Sequence, residues 1–122
     1  MNTVAVLYVG DLVRMRRFYE VCFGWQVVDE GNRYCGMRSR AGLVTLVETA
    51  DARVEISPSP RRLATAIKLV VEVDSIDDAA KAVAESGGRI DSADRPWMFR
   101  GTAHLDVIDP EGNVVQLVQS AP

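Results

Sequence analysis

The sequence is poor in the residues that make the commonest reactive sites. It has a single histidine, His104, and two cysteines, Cys22 and Cys35, that lack CxxC spacing and have no nearby histidine. That composition excludes a disulfide framework and a Cys/His zinc motif, and it leaves two reduced thiols as the expected state. No apolar run approaches the roughly 20 residues of a membrane span. In the opening stretch MNTVAVLYVGDLVRMRR the basic residues follow the apolar segment, the reverse of a secretory signal. A cytoplasmic protein with no membrane partner is the expectation. There is no excess of positive charge either: 14 Lys and Arg against 17 Asp and Glu give a net charge of −3, which argues against a nucleic-acid surface. The one basic cluster, Arg14, Arg16 and Arg17, falls inside a helical pattern and reads as a solvated helix face.

What is present is an ordinary globular composition and an internal repeat. A chain of 122 residues is one domain's worth of sequence. Residues 3–9 (TVAVLYV) are β-rich and apolar at both parities, as in a strand covered on both faces. Asp11 then supplies a helix cap, and Leu12, Met15, Phe18, Tyr19 and Cys22 form one apolar stripe that ends at Gly24. Strands are expected over Trp25–Asp29, Arg33–Arg38 and Leu43–Glu48, joined by the turn segments EGN and SRAG. The same order then returns. AIKLVVEV is a strand, Ser75 a cap, and Ile76, Ala79, Ala80, Val83 and Ala84 a second stripe that stops at Gly87-Gly88. At one constant offset and without a gap, Val9 falls on Val73, Asp11 on Ser75, Leu12 on Ile76 and Gly24 on Gly88. Further strands are expected near Arg89–Asp91, Ala103–Ile108 and Asn113–Gln119. The chain thus reads as α+β, two βαβββ modules at about 1–50 and 66–122 with a Pro-containing connector at about 51–65, inside a single domain.

Two stretches carry a family resemblance: LYVGDLVRMRRFYEVCFGWQV and DVIDPEGNVVQLVQ. In this order, with the repeat, the chain resembles the vicinal oxygen chelate superfamily, the glyoxalase, bleomycin-resistance and extradiol dioxygenase group. The resemblance covers nearly the whole chain. It implies that the two modules build a curved mixed sheet, a cup, with helices on its outer face. It says little about reaction, because one fold hosts many functions. The motif residues themselves have structural uses. Asp109 suits the first position of a tight turn, Pro110 the second, and Gly112 tolerates a positive φ at the exit. Phe18 and Tyr19 read as core.

In metal-dependent relatives each module gives the cup one ligand from its first strand and one from its last. The resemblance places these corners at Val4, Thr45, Lys68 and Gln116. Valine has no donor atom, and lysine offers a lone pair only after losing a strongly held proton. Threonine and glutamine are weak neutral donors where Fe, Ni, Mn or Zn sites use imidazole or carboxylate. A slip of one residue brings in Thr3, Leu46, Ile67 and Leu117, which is no better. No metal and no other cofactor is expected. His104 lies outside the corners and reads as a packing residue.

Alternation along strands puts Val6 and Tyr8 on the cup face with Val4, Val70 and Glu72 with Lys68, and Val114 and Val118 with Gln116. That face is mainly apolar with a few polar groups, as a small-molecule site should be. The loop before the seventh strand adds Trp97, Met98 and Phe99, which pack on a ligand, on their own module or on a dimer partner. Lys68 is expected to orient a ligand by its charge, the alternative being a pair with Glu72. The expected ligand-binding set is Val6, Tyr8, Thr45, Lys68, Glu72, Trp97, Phe99, His104 and Gln116, with no catalytic residue assigned. The expected function is non-catalytic sequestration of a medium-sized, partly aromatic metabolite or antibiotic by a homodimer. The competing readings are an enzyme that uses Lys68, Glu72 or His104 without metal, and more remotely a metal-dependent lyase or dioxygenase.

Overall fold

The computed structural model describes residues 2–62 and 66–120. Its first module runs β1 (Thr3–Val9), α1 (Leu12–Phe23), β2 (Gln26–Gly31), β3 (Tyr34–Arg38) and β4 (Leu43–Glu48), followed by a 3-10 turn at Ala50–Ala52. The second runs β5 (Leu69–Val73), α2 (Ile76–Glu85), β6 (Trp97–Phe99), β7 (Thr102–Ile108) and β8 (Val114–Gln119). Each module folds into a mixed four-stranded sheet, in the orders β1-β4-β3-β2 and β5-β8-β7-β6. In both, the first strand pairs in parallel with the last, and the remaining pairs are antiparallel. The architecture is the expected α+β tandem. Among the described residues no helix is long and apolar enough to cross a membrane.

The repeat extends to hydrogen bonds that composition alone does not show. Asp11 caps α1 by accepting from the Arg14 N–H, and Ser75 caps α2 by accepting from the Asp78 N–H. Each helix's first N–H is also taken by a side chain from the end of its own module's last strand. Leu12 N donates to Glu48 Oε2 at 3.1 Å, and Ile76 N donates to Gln119 Oε1 at 2.9 Å. These contacts satisfy donors that a helix start leaves without an intrahelical partner. Gly24 ends α1 in the left-handed conformation at φ 69°, donating to the carbonyls of Tyr19 and Glu20.

Alternation divides β1, β4 and β5 between a helix side and an open side. Met15, Phe18 and Tyr19 of α1 pack with Cys35, Met37, Val44 and Leu46, while Ile76, Ala79 and Val83 of α2 pack with Val71, Val73, Leu105, Val107, Val115 and Leu117. Both groups belong to one continuous core. Trp25 joins it at 5% exposure, stacked on Tyr19 with ring centroids 4.7 Å apart. Leu12 and Cys22 are only partly buried, and Ala84, expected in the second stripe, is exposed.

Three strand expectations are corrected. The second strand is Gln26–Gly31 rather than Trp25–Asp29, because Trp25 turns inward to stack on Tyr19. Residues 89–91 form no strand: Arg89 makes one isolated bridge to Ile108. The true sixth strand is Trp97–Phe99, so the aromatic segment is a hairpin arm rather than a loop.

The turn between β7 and β8 joins the modules. The Glu111 carboxylate accepts from Gly10 N and Asp11 N at 2.9–3.0 Å, just ahead of α1. Asp109 makes the expected tight turn, accepting from the Glu111 and Asn113 N–H groups at 2.9 Å. It also accepts from the buried Tyr19 hydroxyl at 2.8 Å. Gly112, at φ 86°, lies so close to the Pro60 carbonyl that a Cβ would collide with it.

Burial, followed by the adjacent Asp109 charge, raises the Tyr19 phenol well above the ordinary tyrosine value of 10.0. An unfolded tyrosine ionises near pH 10, while folded Tyr19 keeps its proton. The folded state therefore binds more protons above that pH, and this contribution to stability is lost as pH rises further. Tyr19→Phe is expected to remove that part of the alkaline slope. Urea midpoints at about pH 9 and about pH 11 check it: the gap between them should narrow in the variant.

Candidate functional site

The open sides of the sheets carry the predicted face. Val4, Val6 and Tyr8 of β1 are 50–60% exposed, whereas Ala5 and Leu7 between them pack on the core. Val70 and Glu72 are the exposed residues of β5. The pairings Val6↔Thr45 and Val70↔Gln116 are equivalent in the two modules, so Thr45 and Gln116 do occupy matching positions.

A cavity of 650 Å³ lies between the edge strands β1 and β5. Val4, Val6, Val70 and Val114 supply apolar walls, and among the described residues Arg62 and Lys68 are its only charged lining residues. Of the predicted set, only Val6 and Lys68 line it. Tyr8 borders a separate hollow with Thr49 and Asp51, and Glu72 borders another with Arg40 and Val118. Thr45 sits half-buried on β4 opposite Gly36.

The rest of the predicted set gathers around the β6–β7 hairpin. His104 is 5% exposed and lies under two rings: Trp97 is stacked on it at 5.3 Å and 16°, and Phe99 meets it edge-on at 5.9 Å. Trp97 and Phe99 stay 37% and 52% exposed, a two-ring platform whose inner side rests on the imidazole. The ring has partners at both nitrogens. Nδ1 is 3.0 Å from Gln116 Nε2, and Nε2 is 3.0 Å from Thr102 Oγ1 and 3.3 Å from the Phe99 carbonyl. The geometry fits Nε2 donating to the Phe99 carbonyl and the Gln116 amide donating to Nδ1. Both nitrogens are thereby committed to protein partners, as a packing role requires.

Lys68 joins the platform to the cavity. Its Nζ donates to Asp106 Oδ2 at 2.8 Å and lies 5.7 Å from the centre of the Trp97 ring. The alternative pair with Glu72 does not form. Glu72 instead accepts from Ser120 Oγ at 2.7 Å and sits 3.9 Å from Arg40. Asp106 was not anticipated. It is one of three acidic residues on the β7–β8 hairpin, and only the fold shows that it shares a face with His104 and stands opposite Gln116. It is 8% exposed, and its Oδ1 is buried without a hydrogen-bond partner.

The corner residues do not fit the metal of metal-dependent relatives. Val4 has no donor, the Lys68 ammonium is engaged by Asp106, and the Gln116 amide faces His104. Among the described residues no three His, Cys, Asp or Glu side chains come together to hold a metal ion.

A family model described as the Glyoxalase/Bleomycin resistance protein/Dioxygenase superfamily matches residues 2–117. No curated protein sequence matches the chain. Solved structures do match in fold. The glyoxalase/bleomycin resistance protein of Albidiferax ferrireducens T118 is 20% identical, with 99% of each chain covered and a TM-score of 0.71. The bleomycin resistance determinant encoded on transposon Tn5 is 16% identical over 100% of both chains, with a TM-score of 0.66. A bleomycin-binding protein solved in complex with bleomycin is 16% identical, covering 99% of this chain and 98% of that one at a TM-score of 0.63.

Proposed function

The chain belongs to the glyoxalase/bleomycin resistance protein/dioxygenase superfamily, and from that premise we propose that it is a small-molecule-binding protein that works without metal or catalysis. Its ligand is a medium-sized, partly aromatic metabolite or antibiotic. The observation that carries this reading is the Trp97–Phe99 platform, held on a buried histidine and joined through Lys68 to an apolar cavity. Exposed aromatic rings fixed in place lose little freedom when a flat molecule covers them. The bleomycin-bound structure supports the reading by showing that a protein of this fold binds a small molecule.

A homodimer completes the proposal. β1 and β5 are edge strands, and β1 exposes Val4, Val6 and Tyr8. Apolar edges of this kind are normally paired or covered, and a closed twofold dimer is the commonest way to do so. Light scattering at micromolar concentration is expected to give twice the chain mass. A monomer, with and without ligand, would contradict it.

The binding proposal is tested by a thermal-shift screen of planar aromatic compounds, run with and without a chelator. A compound at 100 times its dissociation constant adds about 2.7 kcal/mol, a rise in Tm on the order of 10 °C. The rise is expected to survive the chelator. A rise that the chelator abolishes would point to a metal-dependent site, and no hits would point to a cup with no binding role.

A further inference from the structure

We infer that the ligand is an anion, a carboxylate carried on a flat apolar body, with its head held by Lys68. The inference rests on the binding proposal and narrows it. It starts from a local reversal of charge. The chain as a whole carries an excess of acid, with net charge −3, yet among the described residues no carboxylate lines the cavity between β1 and β5. Among the described residues the charged members of its lining are Arg62 and Lys68, both cations, and Lys68 is paired with Asp106 outside that lining. A ligand cation placed there would meet like charge from the lining. An anion would meet opposite charge beside apolar walls, where such attraction is stronger than between ions in bulk water.

The position of Lys68 gives the head group a place. An ammonium has three donors, and the hydrogen bond to Asp106 Oδ2 uses one of them. Asp106 is nearly buried and one of its oxygens is unpartnered, so this carboxylate is not held by a full set of donors of its own. It fixes the Lys68 Nζ at one point, 5.7 Å from the centre of a Trp97 ring that is 37% exposed. A ring stacked on Trp97 would bring a carboxylate substituent to the ammonium, and its apolar remainder could enter the valine-walled cavity. Charge-assisted hydrogen bonds of this kind are roughly twice as strong as neutral ones.

Three probes of one shape test the inference by calorimetry on the full chain: naphthoate, naphthylmethanol and naphthylmethylammonium. Naphthoate is expected to bind about tenfold tighter than the alcohol or better, and the ammonium weakest. Lys68→Met should abolish the preference for naphthoate over the alcohol, while Lys68→Arg should keep it. If Lys68→Met fails to fold because buried Asp106 keeps only Arg61, at 3.9 Å, as a cation, Lys68→Met with Asp106→Leu removes both charges and should also lose the preference. An alcohol that binds as tightly as naphthoate overturns the inference and leaves the binding proposal standing. So does a preference for naphthoate that survives the loss of Lys68. Failure of all three probes at millimolar concentration overturns both.

Discussion

Asp109→Ala is expected to destabilise the protein by about 3–5 kcal/mol, a large share of a domain's total stability. The side chain is 1% exposed and carries two jobs at once. Its Oδ1 closes the β7–β8 turn by accepting from the Glu111 and Asn113 N–H groups, and its Oδ2 accepts from Tyr19 in the other module. Truncation leaves the Tyr19 hydroxyl buried without its acceptor and frees two backbone donors. It also loosens the turn that presents Glu111 to Gly10 and Asp11. Asp109→Asn keeps one acceptor oxygen and the shape, so about half that loss is expected. Urea unfolding of the two variants against wild type gives the comparison. If both lie within about 0.5 kcal/mol of wild type, the turn does not hold the modules together.

Trp97→Ala is expected to weaken ligand binding by about tenfold to a hundredfold while changing stability much less. A ring stacked on the indole gains about 0.5–1.5 kcal/mol beyond its buried area, and the buried area adds a comparable amount. The indole already rests on His104, so little is spent in ordering it. Trp97→Phe keeps a smaller platform and should recover part of the affinity. Calorimetry with the strongest compound from the thermal-shift screen gives these values. An affinity unmoved by Trp97→Ala would make the hairpin packing rather than site.

The fold was legible because its signals are local and occur twice. Asp11 and Ser75, Gly24 and Gly88, and the two apolar stripes locate the modules without any knowledge of what they touch. The offset between last strands that matched Thr45 to Gln116 is confirmed by their pairing with Val6 and Val70. The sixth strand was hidden for a physical reason. It is three residues long, lies inside a polar segment with Asp94 and Pro96, and turns through Arg100 and Gly101 at φ 50° and 78°. Arginine gives no cue for a positive φ, so only Gly101 hinted at a hairpin. The site was less legible than the fold because its contacts cross the chain. Lys68 could be seen as a cation on an apolar strand, and Glu72 was the carboxylate that alternation placed beside it. The partner it takes, Asp106, lies on another strand, and nothing in spacing indicates which distant carboxylate will arrive. Glu111, which reaches back to Gly10, was invisible for the same reason.

The most direct test of a binding cup at this hairpin is the emission of Trp97. Trp25 is buried against Tyr19, so Trp25→Phe leaves Trp97 as the only indole and keeps an aromatic ring in the core. Titrating that protein with the strongest compound from the screen is expected to quench or shift the emission along the calorimetric binding curve. Saturation by calorimetry with no change in Trp97 emission would place the ligand elsewhere and contradict the account.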